Sequence, residues 1–197
     1  MNKPKLIVIE GTTCSGKTTL AKDLVQNIPN SLYMKMIPSE TERGQYIKKV
    51  SNRASPLEID LLYLEDLYAS VQEAADKLLK GKTIIMDRYL PSLLSFCHCY
   101  RESDDYKQLV EQIDNDKIKV PDHLFILYAD PKVKVLRLAK KDDVTKFDEI
   151  SFNDSKLEKY LITEAYKYNN HIQLDTSLLS PKQTVKFVLE HYLSGLK

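Results

Sequence analysis

One stretch decides the fold of this chain: Gly11-Thr12-Thr13-Cys14-Ser15-Gly16-Lys17-Thr18. It matches the pattern G-x-x-x-x-G-K-[ST], with the apolar run of residues 6–9 before it and a helical segment, residues 17–27, after it. In that context the pattern predicts a phosphate-binding loop between a buried strand and a helix. Backbone N–H groups of a loop bent at its two glycines point inward, and the positive end of the helix strengthens their attraction for an anion. We therefore expect the chain to bind a nucleoside triphosphate.

The last residues of this loop carry side chains suited to phosphate chemistry. Lys17 is expected to place a cation near the β- and γ-oxygens and to act in catalysis, and the Thr18 hydroxyl is expected to bind Mg²⁺. The expected ATP-binding residues here are the whole loop and the threonine after it: Gly11, Thr12, Thr13, Cys14, Ser15, Gly16, Lys17, Thr18 and Thr19.

Length and composition indicate an ordinary globular protein. A chain of 197 residues suits one compact domain, which we expect to span residues 1–197, and folding can bury roughly 70% of its unfolded surface. Hydrophobic residues make up 43% and charged residues 29%, which argues against disorder. The net charge is only +1, whereas a protein that holds duplex phosphates usually carries a basic excess. We therefore expect no nucleic-acid partner.

The apolar segments and the cysteines indicate a cytoplasmic protein with no membrane partner. The apolar run of residues 6–9 is too short for a signal peptide or a membrane span, and the three cysteines are an odd number. Two of the cysteines flank His98 directly, and adjacent helical residues point about 100° apart. We therefore expect this cluster to pack rather than to bind a metal ion.

Strand-like and helical segments alternate along the chain. Strands are predicted at residues 6–9, 32–37, 83–86, 123–128 and 172–174, and helices at residues 17–27, 57–78, 91–100, 105–116, 131–139, 154–168 and 181–193. This alternation predicts the α/β P-loop NTPase fold: a doubly wound five-stranded parallel sheet with helices on both faces and ligands at the strands' carboxyl ends. Residues 140–152 are polar and lack an apolar period, so we expect a short mobile lid there.

The longest predicted helix, residues 57–78, carries apolar residues at alternating spacings of four and three, and Gly81 follows as its C-cap. Such a stripe favours packing against the core of the same chain, with a seam between two copies of the chain as the alternative. We expect the protein to be a homodimer.

The phosphate loop does not by itself say how the triphosphate is used. A GTPase should carry N-K-x-D after its fourth strand, where this chain reads Tyr128-Ala129-Asp130-Pro131. Helicase-like and transporter ATPases need larger domains and further motifs. A small-molecule kinase is therefore the favoured class.

A second motif, Asp87-Arg88-Tyr89 followed by Ser92, resembles the D-R-Y-x-x-S motif of thymidylate kinases. Further similarities extend the resemblance over nearly the whole chain. Residues 38–44 are similar in spacing to the family's P-x-x-T-x-x-G, residues 121–131 resemble its P-D-x…D-P element, and residues 146–148 lie where it often has R-F-E. Arg137 stands at the usual arginine of the following helix, which implies a contact with ATP.

The resemblance implies a kinase that uses ATP and Mg²⁺ to phosphorylate a nucleoside monophosphate. Asp87 can hold the metal through water or orient the acceptor phosphate, with a helix N-cap as its alternative role. Arg88 can bridge the acceptor and transferred phosphates, with a surface salt bridge as its alternative. The residues implied to bind the acceptor are Pro38, Tyr63, Asp66, Arg88, Tyr89 and Ser92.

The chain departs from the family in its arginines. Some members carry an arginine within the phosphate loop, where this chain has Cys14, and others place arginines in the lid, where this chain has Lys140, Lys141 and Lys146. Lysine lacks the two-point grip of a guanidinium. Phosphoryl transfer still needs a cation over the moving group, and we expect Lys141, or its neighbour Lys140, to supply it, with solvated lid charges as the alternative.

The base pocket departs as well. The family stacks the base on an aromatic ring, for which Tyr63 is the candidate, and binds it with an arginine about one turn later, where this chain has Asp66 and Leu67. If Asp66 reads the base, it accepts hydrogen bonds and favours an edge with N–H donors. Core packing of Tyr63 and a solvated Asp66 are the alternatives.

The expected reaction is thus ATP-dependent phosphorylation of a (deoxy)nucleoside monophosphate, with dTMP as the first expected acceptor and dTDP as its product. One alternative is a deoxynucleoside kinase, which needs a carboxylate near the end of the second strand, where the first one is Glu40. The other is a kinase-like nucleotide-binding protein with little turnover, an alternative motivated by the lid without arginine.

Overall fold

The computed structural model describes residues 3–36, 41–142, 144, 148, 151–152 and 154–194. The strands are β1 (Leu6–Gly11), β2 (Ser31–Lys35), β3 (Thr83–Asp87), β4 (His123–Tyr128) and β5 (His171–Asp175). The helices are α1 (Lys17–Asn27), α2 (Glu42–Val50), α3 (Pro56–Leu79), α4 (Leu90–Tyr100), α5 (Ser103–Glu111), α6 (Pro131–Leu138), α7 (Ser155–Ala165) and α8 (Pro181–Ser194).

The strands form one parallel sheet in the order β2-β3-β1-β4-β5, which confirms the predicted doubly wound α/β fold. β1 lies in the middle, and the strand order reverses beside it. In the register, Ile9 of β1 lies opposite Asp87 of β3, and Gly11 lies opposite Leu127 of β4. The phosphate loop therefore leaves the carboxyl edge of the sheet at the switch point, where open α/β sheets bind their ligands.

Alternating side chains of β1 pack into two separate layers of core. Leu6 and Val8 lie in the layer that contains buried residues of α3, α4, α5 and α7, whereas Ile7 and Ile9 pack with α1 and α8. All four are fully buried, and each such burial contributes about 1.5–3 kcal/mol. This burial on both faces holds β1 rigidly and so fixes the point from which the phosphate loop starts.

The long helix α3 begins and ends on local signals. Ser55 forms a capping box with Glu58, in which each side chain accepts from the other residue's backbone N–H. At the other end Gly81 has a φ of 80°, and Lys82 N donates to Lys77 O, which closes the helix in the way predicted for a glycine cap. The face predicted to pack in the core does so: Leu64 and Val71 are buried against the sheet.

Sequence reasoning missed α2 and misplaced several element ends. α2 begins after Thr41, whose hydroxyl accepts from Gly44 N, an N-cap signal that is readable in the sequence. The described part of β2 ends at Lys35, and α5 ends at Glu111, five residues before the predicted position, with a short 3₁₀ turn following it (Asn115–Lys117). Within the described ranges no helix is both long and apolar enough to span a membrane.

Candidate active site

The phosphate loop is strained where it turns. Gly11 has a φ of 149° and Gly16 a φ of 98°, and Cys14 between them also has a positive φ, 63°. A Cβ on Gly11 would lie 2.2 Å from Leu127 O, so only glycine fits where β1 passes β4 into the loop. Strained backbone of this kind clusters at ligand-binding sites, since it aims N–H groups at a common point.

Lys17 lies inside this loop as the first residue of α1. Its side chain is buried, and its ammonium donates to Thr12 O at 2.7 Å. Burial, and then repulsion from Arg88, lowers the pKa of Lys17 to about 7. A phosphate anion in the loop would offset both effects. Binding of a triphosphate would therefore raise the pKa of Lys17 and stabilise its charged form.

Thr18 and Asp87 meet across the loop and the end of β3. The Thr18 hydroxyl donates to Asp87 Oδ2 at 2.6 Å, and the Tyr33 hydroxyl donates to the same oxygen at 3.2 Å. The other oxygen, Oδ1, is buried and has no hydrogen-bond partner among the residues that the structure describes. A hydroxyl and a carboxylate with an unused oxygen are hard ligands that fit Mg²⁺.

Hydrogen bonds to neighbouring residues hold Arg88 in position. It has a φ of 75°, its Nη1 donates to Ser92 Oγ at 3.1 Å, and its backbone N–H donates to Ile9 O at 3.0 Å. The Ser92 hydroxyl in turn donates to Glu10 Oε2 at 2.5 Å. Ser92 therefore orients Arg88, and only 8% of its surface is exposed.

Glu10 is a candidate site residue that sequence reasoning missed. Its carboxylate is completely buried and accepts the backbone N–H groups of Tyr89 and Ser92 at 2.8 and 3.0 Å, as well as the Ser92 hydroxyl. Burial raises the pKa of Glu10, and the Arg88 charge and these hydrogen bonds partly counter that effect. A glutamate at the end of an otherwise apolar strand, directly before the loop's first glycine, was the available signal.

Tyr89 does not fit the expected contact with the acceptor. Its side chain is fully buried, and its hydroxyl donates to Lys119 O at 2.7 Å. The backbone turn at Arg88 directs consecutive side chains to opposite sides, so Arg88 reaches the cavity and Tyr89 enters the core. Tyr89 anchors the turn between β3 and α4.

Arg137 holds the back of the phosphate loop. Its guanidinium donates to Cys14 O at 3.1 Å, and to the hydroxyl and carbonyl oxygens of Thr176 at 2.9 and 2.6 Å. The Thr176 hydroxyl also donates to Ser15 O at 2.9 Å. The sequence predicts that Arg137 contacts ATP. In the structure it holds the carbonyl groups on the outer side of the phosphate loop, which leaves the loop's N–H groups facing inward.

The lid residues are described only in part. Lys141 forms an ion pair with Asp148 at 2.6 Å, and both line the nucleotide cavity, as does Lys140. Lys146 lies outside the described residues, and so does much of the predicted lid. The cation expected to act in catalysis therefore has a partner of opposite charge on the same segment.

Asp66 does not stand as a solvated charge or as a free reader of the base. It is 1% exposed, and its Oδ1 accepts from Arg43 Nε at 2.8 Å. Tyr63, one turn earlier on α3, is half-buried against the core. The helix that sequence reasoning missed, α2, thus brings an arginine to the region where α3 has none. Pro38, the other expected acceptor residue here, lies outside the described residues.

The side chains of the phosphate loop line one cavity of about 510 Å³ at the carboxyl edge of the sheet, and Arg88 is the one described residue expected to bind the acceptor that lines it too. Residues 13–20 of the phosphate loop and α1 form its floor, with Asp87 and Arg88 toward β2 and Arg137 and Thr176 toward β5. A cavity of this size accommodates a nucleotide. Anion-binding backbone, a candidate metal site and an arginine near the phosphates therefore share one space, which is what phosphoryl transfer requires.

Known proteins with similar sequences show the family of this chain. The family model for thymidylate kinase matches residues 9–187. A thymidylate kinase from Leptospira borgpetersenii serovar Hardjo-bovis is 30% identical over 98% of this chain and 95% of its own length. A probable thymidylate kinase from Methanosarcina mazei is 28% identical over 94% of this chain and 96% of its own.

Solved structures share the fold at lower identity. The thymidylate kinase from Candida albicans has a TM-score of 0.76 at 20% identity, over 98% of this chain and 92% of that one. A deoxyadenosine kinase from M. mycoides has a TM-score of 0.68 at 16% identity, over 96% of this chain and 99% of that one. These likenesses support the fold, and the family match over nearly the whole chain identifies the protein as a nucleoside monophosphate kinase of the thymidylate kinase family.

Proposed function

We propose that this protein transfers the γ-phosphoryl group of ATP to dTMP, with Mg²⁺, to give dTDP. The observation that carries the proposal is the Thr18–Asp87 hydrogen bond at 2.6 Å, beside the buried ammonium of Lys17 and with Arg88 at the same cavity. The names of the curated relatives favour dTMP as the acceptor.

Each group has a role in this reaction. The loop's N–H groups and Lys17 hold the β- and γ-phosphates, and Arg88 stabilises charge that develops between donor and acceptor. Thr18 and Asp87 would hold the magnesium ion, which neutralises the phosphate oxygens when it is bound. Residues 140–152 close over ATP as a lid and exclude water, and Lys141 supplies the lid's cation. The working unit is a homodimer in the cytoplasm.

Arg43 and Asp66 change the base preference expected from sequence alone. A guanidinium only donates hydrogen bonds, so an Arg43 that Asp66 holds at the base pocket favours a base edge with carbonyl acceptors. Thymine presents such an edge. This preference for a base edge with carbonyl acceptors replaces the preference for an edge with N–H donors that is expected for Asp66 alone.

The test is a panel of acceptors with ATP and Mg²⁺, in which product formation is measured for dTMP, dUMP, dGMP, dCMP and dAMP and for the corresponding nucleosides. We expect dTMP to have the highest kcat/KM and the nucleosides to give no product. Phosphorylation of nucleosides alone would assign a deoxynucleoside kinase instead. ATP binding without any product would assign a nucleotide-binding protein with little turnover.

A further inference from the structure

Lys35, the last residue of β2, is a charged side chain in the nucleotide cavity for which the phosphate loop and the D-R-Y motif give no role. It lines the cavity together with Lys17, Thr18, Asp87 and Arg88. It is solvent-exposed, and its side chain makes no hydrogen bond or ion pair with any other residue that the structure describes. An ammonium at a phosphate site with no protein partner is available to a ligand.

The strand register fixes the side of the sheet on which Lys35 lies. Lys35 is paired with Asp87 in the parallel ladder between β2 and β3, and Met36 N donates to Asp87 O just beyond it. Side chains two residues apart on a strand share a face, and Tyr33 reaches Asp87 Oδ2 with its hydroxyl. Lys35 is therefore on the same face of the sheet as Asp87 and at the same level, one strand further from β1.

The strand order shows which phosphate Lys35 can reach. The phosphate loop follows β1, and the far wall toward β5 carries Arg137 and Thr176. β2 lies on the other side of β3 from the loop, so Lys35 stands opposite Arg137 across the cavity. A donor whose phosphates lie in the loop ends near Asp87, and the phosphate that receives the γ-group must lie beyond it, toward β2.

Most other cations of the cavity are engaged by protein groups, and Lys140 lies just after α6, on the side of Arg137 rather than of β2. Lys17 donates to Thr12 O, Arg137 to Cys14 and Thr176, and Lys141 pairs with Asp148. Arg88 contacts Ser92, and its proposed role is to bridge the donor and acceptor phosphates. We propose that Lys35 binds the phosphate of the nucleoside monophosphate acceptor, as a specificity-determining residue for a phosphorylated over an unphosphorylated nucleoside. This proposal rests on the function proposed above.

The test compares binding of dTMP with binding of thymidine, which lacks only the phosphate. In Lys35→Ala the Kd for dTMP should rise about tenfold to a hundredfold, as expected for one lost charge-assisted contact, while the Kd for thymidine and for ATP stays within twofold. Lys35→Arg should keep most of the dTMP affinity because the charge remains. Lys22→Ala removes an exposed lysine of α1 outside the cavity and should change nothing.

The outcomes separate this inference from the proposed function. If the wild-type protein phosphorylates dTMP and Lys35→Ala binds it with unchanged affinity, the role of Lys35 is wrong and the function stands. Equal losses for dTMP and thymidine would also overturn the role, since they would indicate a damaged pocket. A wild-type protein that phosphorylates nucleosides and no monophosphate would overturn both. Lys35→Gln, which keeps the polar end of the side chain, replaces Lys35→Ala if that variant folds poorly.

Discussion

Arg43 on α2 donates to the buried carboxylate of Asp66 on α3, with Nε and Oδ1 2.8 Å apart. The two side chains differ in exposure, since about half of Arg43 is accessible and only 1% of Asp66 is. The contact ties the short helix α2 to the long helix α3. Asp66 is in this way a positioning residue for Arg43.

This pair yields a prediction for stability and acceptor binding. Arg43→Ala removes the Arg43 ion pair from a buried carboxylate, and we expect the free energy of unfolding to fall by about 1–3 kcal/mol. The KM for dTMP should rise in Arg43→Ala and in Asp66→Asn, and the double variant should be no worse than the poorer single one because the pair acts as a unit. Urea unfolding and steady-state kinetics measure both effects. Arg53→Ala, at an exposed arginine, is the control, and purely additive effects would contradict the coupling.

Lys17→Ala should remain folded and lose most of its activity. One preorganised charge at the transferring phosphate typically contributes about 10²–10³ in kcat. The buried ammonium already has its pKa lowered to about 7, so its removal should not destabilise the free protein. Initial rates with ATP and dTMP, together with a thermal unfolding curve, check both statements. Normal turnover in a folded Lys17→Ala variant would contradict a role of the phosphate loop in the reaction.

Asp87→Asn and Arg88→Ala should lower turnover far more than ATP affinity. Both side chains lie at the end of β3, toward the acceptor side of the loop, where they act on the metal and on charge that develops during transfer. We expect kcat to fall by at least about tenfold, with the Kd for ATP changed by much less. A loss of ATP affinity with unchanged kcat would contradict these roles.

Glu10 predicts a specific pH dependence of stability. Because burial raises its pKa, the folded protein holds this proton at pH values where the unfolded chain has released it. In that window, above the ordinary glutamate pKa, the free energy of unfolding falls as the pH rises. Gln cannot titrate, and its carbonyl can still accept the N–H groups of Tyr89 and Ser92. The stability of Glu10→Gln relative to the parent should therefore increase from pH 4 to pH 7 in urea unfolding. A stability difference between Glu10→Gln and the parent that does not change with pH would contradict the raised pKa of Glu10.

The lid lysines can be tested against the parent protein one at a time. Lys141→Ala should reduce kcat and leave the KM for dTMP nearly unchanged, because a closing cation acts on the transferring group. Arginine at this position should retain activity and can raise it if the guanidinium reaches both phosphates. Lys140→Ala, at the neighbouring lysine, is the matched comparison. If the double Ala variant turned over like the parent, Arg88 or Arg137 would have to supply the charge.

The fold and the expected ATP site could be predicted from local patterns in the sequence. A phosphate loop needs glycines at its turns and a strand and helix around it, and all of these lie within 22 consecutive residues, from Leu6 to Asn27. The cap at Gly81 and the strand alternation are equally local. Such features depend on backbone conformation and hydrogen bonds between near neighbours, which residue types determine directly.

The rest of the candidate site depended on contacts between distant segments. Glu10 reaches Ser92 over 82 positions, Arg137 reaches Thr176 over 39, and Arg43 reaches Asp66 over 23. No spacing rule connects these residues, since their meeting depends on how helices pack on the sheet. From the sequence alone, a phosphate-binding loop after β1 could be predicted. Only the tertiary structure decided that Tyr89 is core, that Asp66 holds an arginine and that Lys35 faces the cavity, because long-range packing chooses which side of each element meets the site.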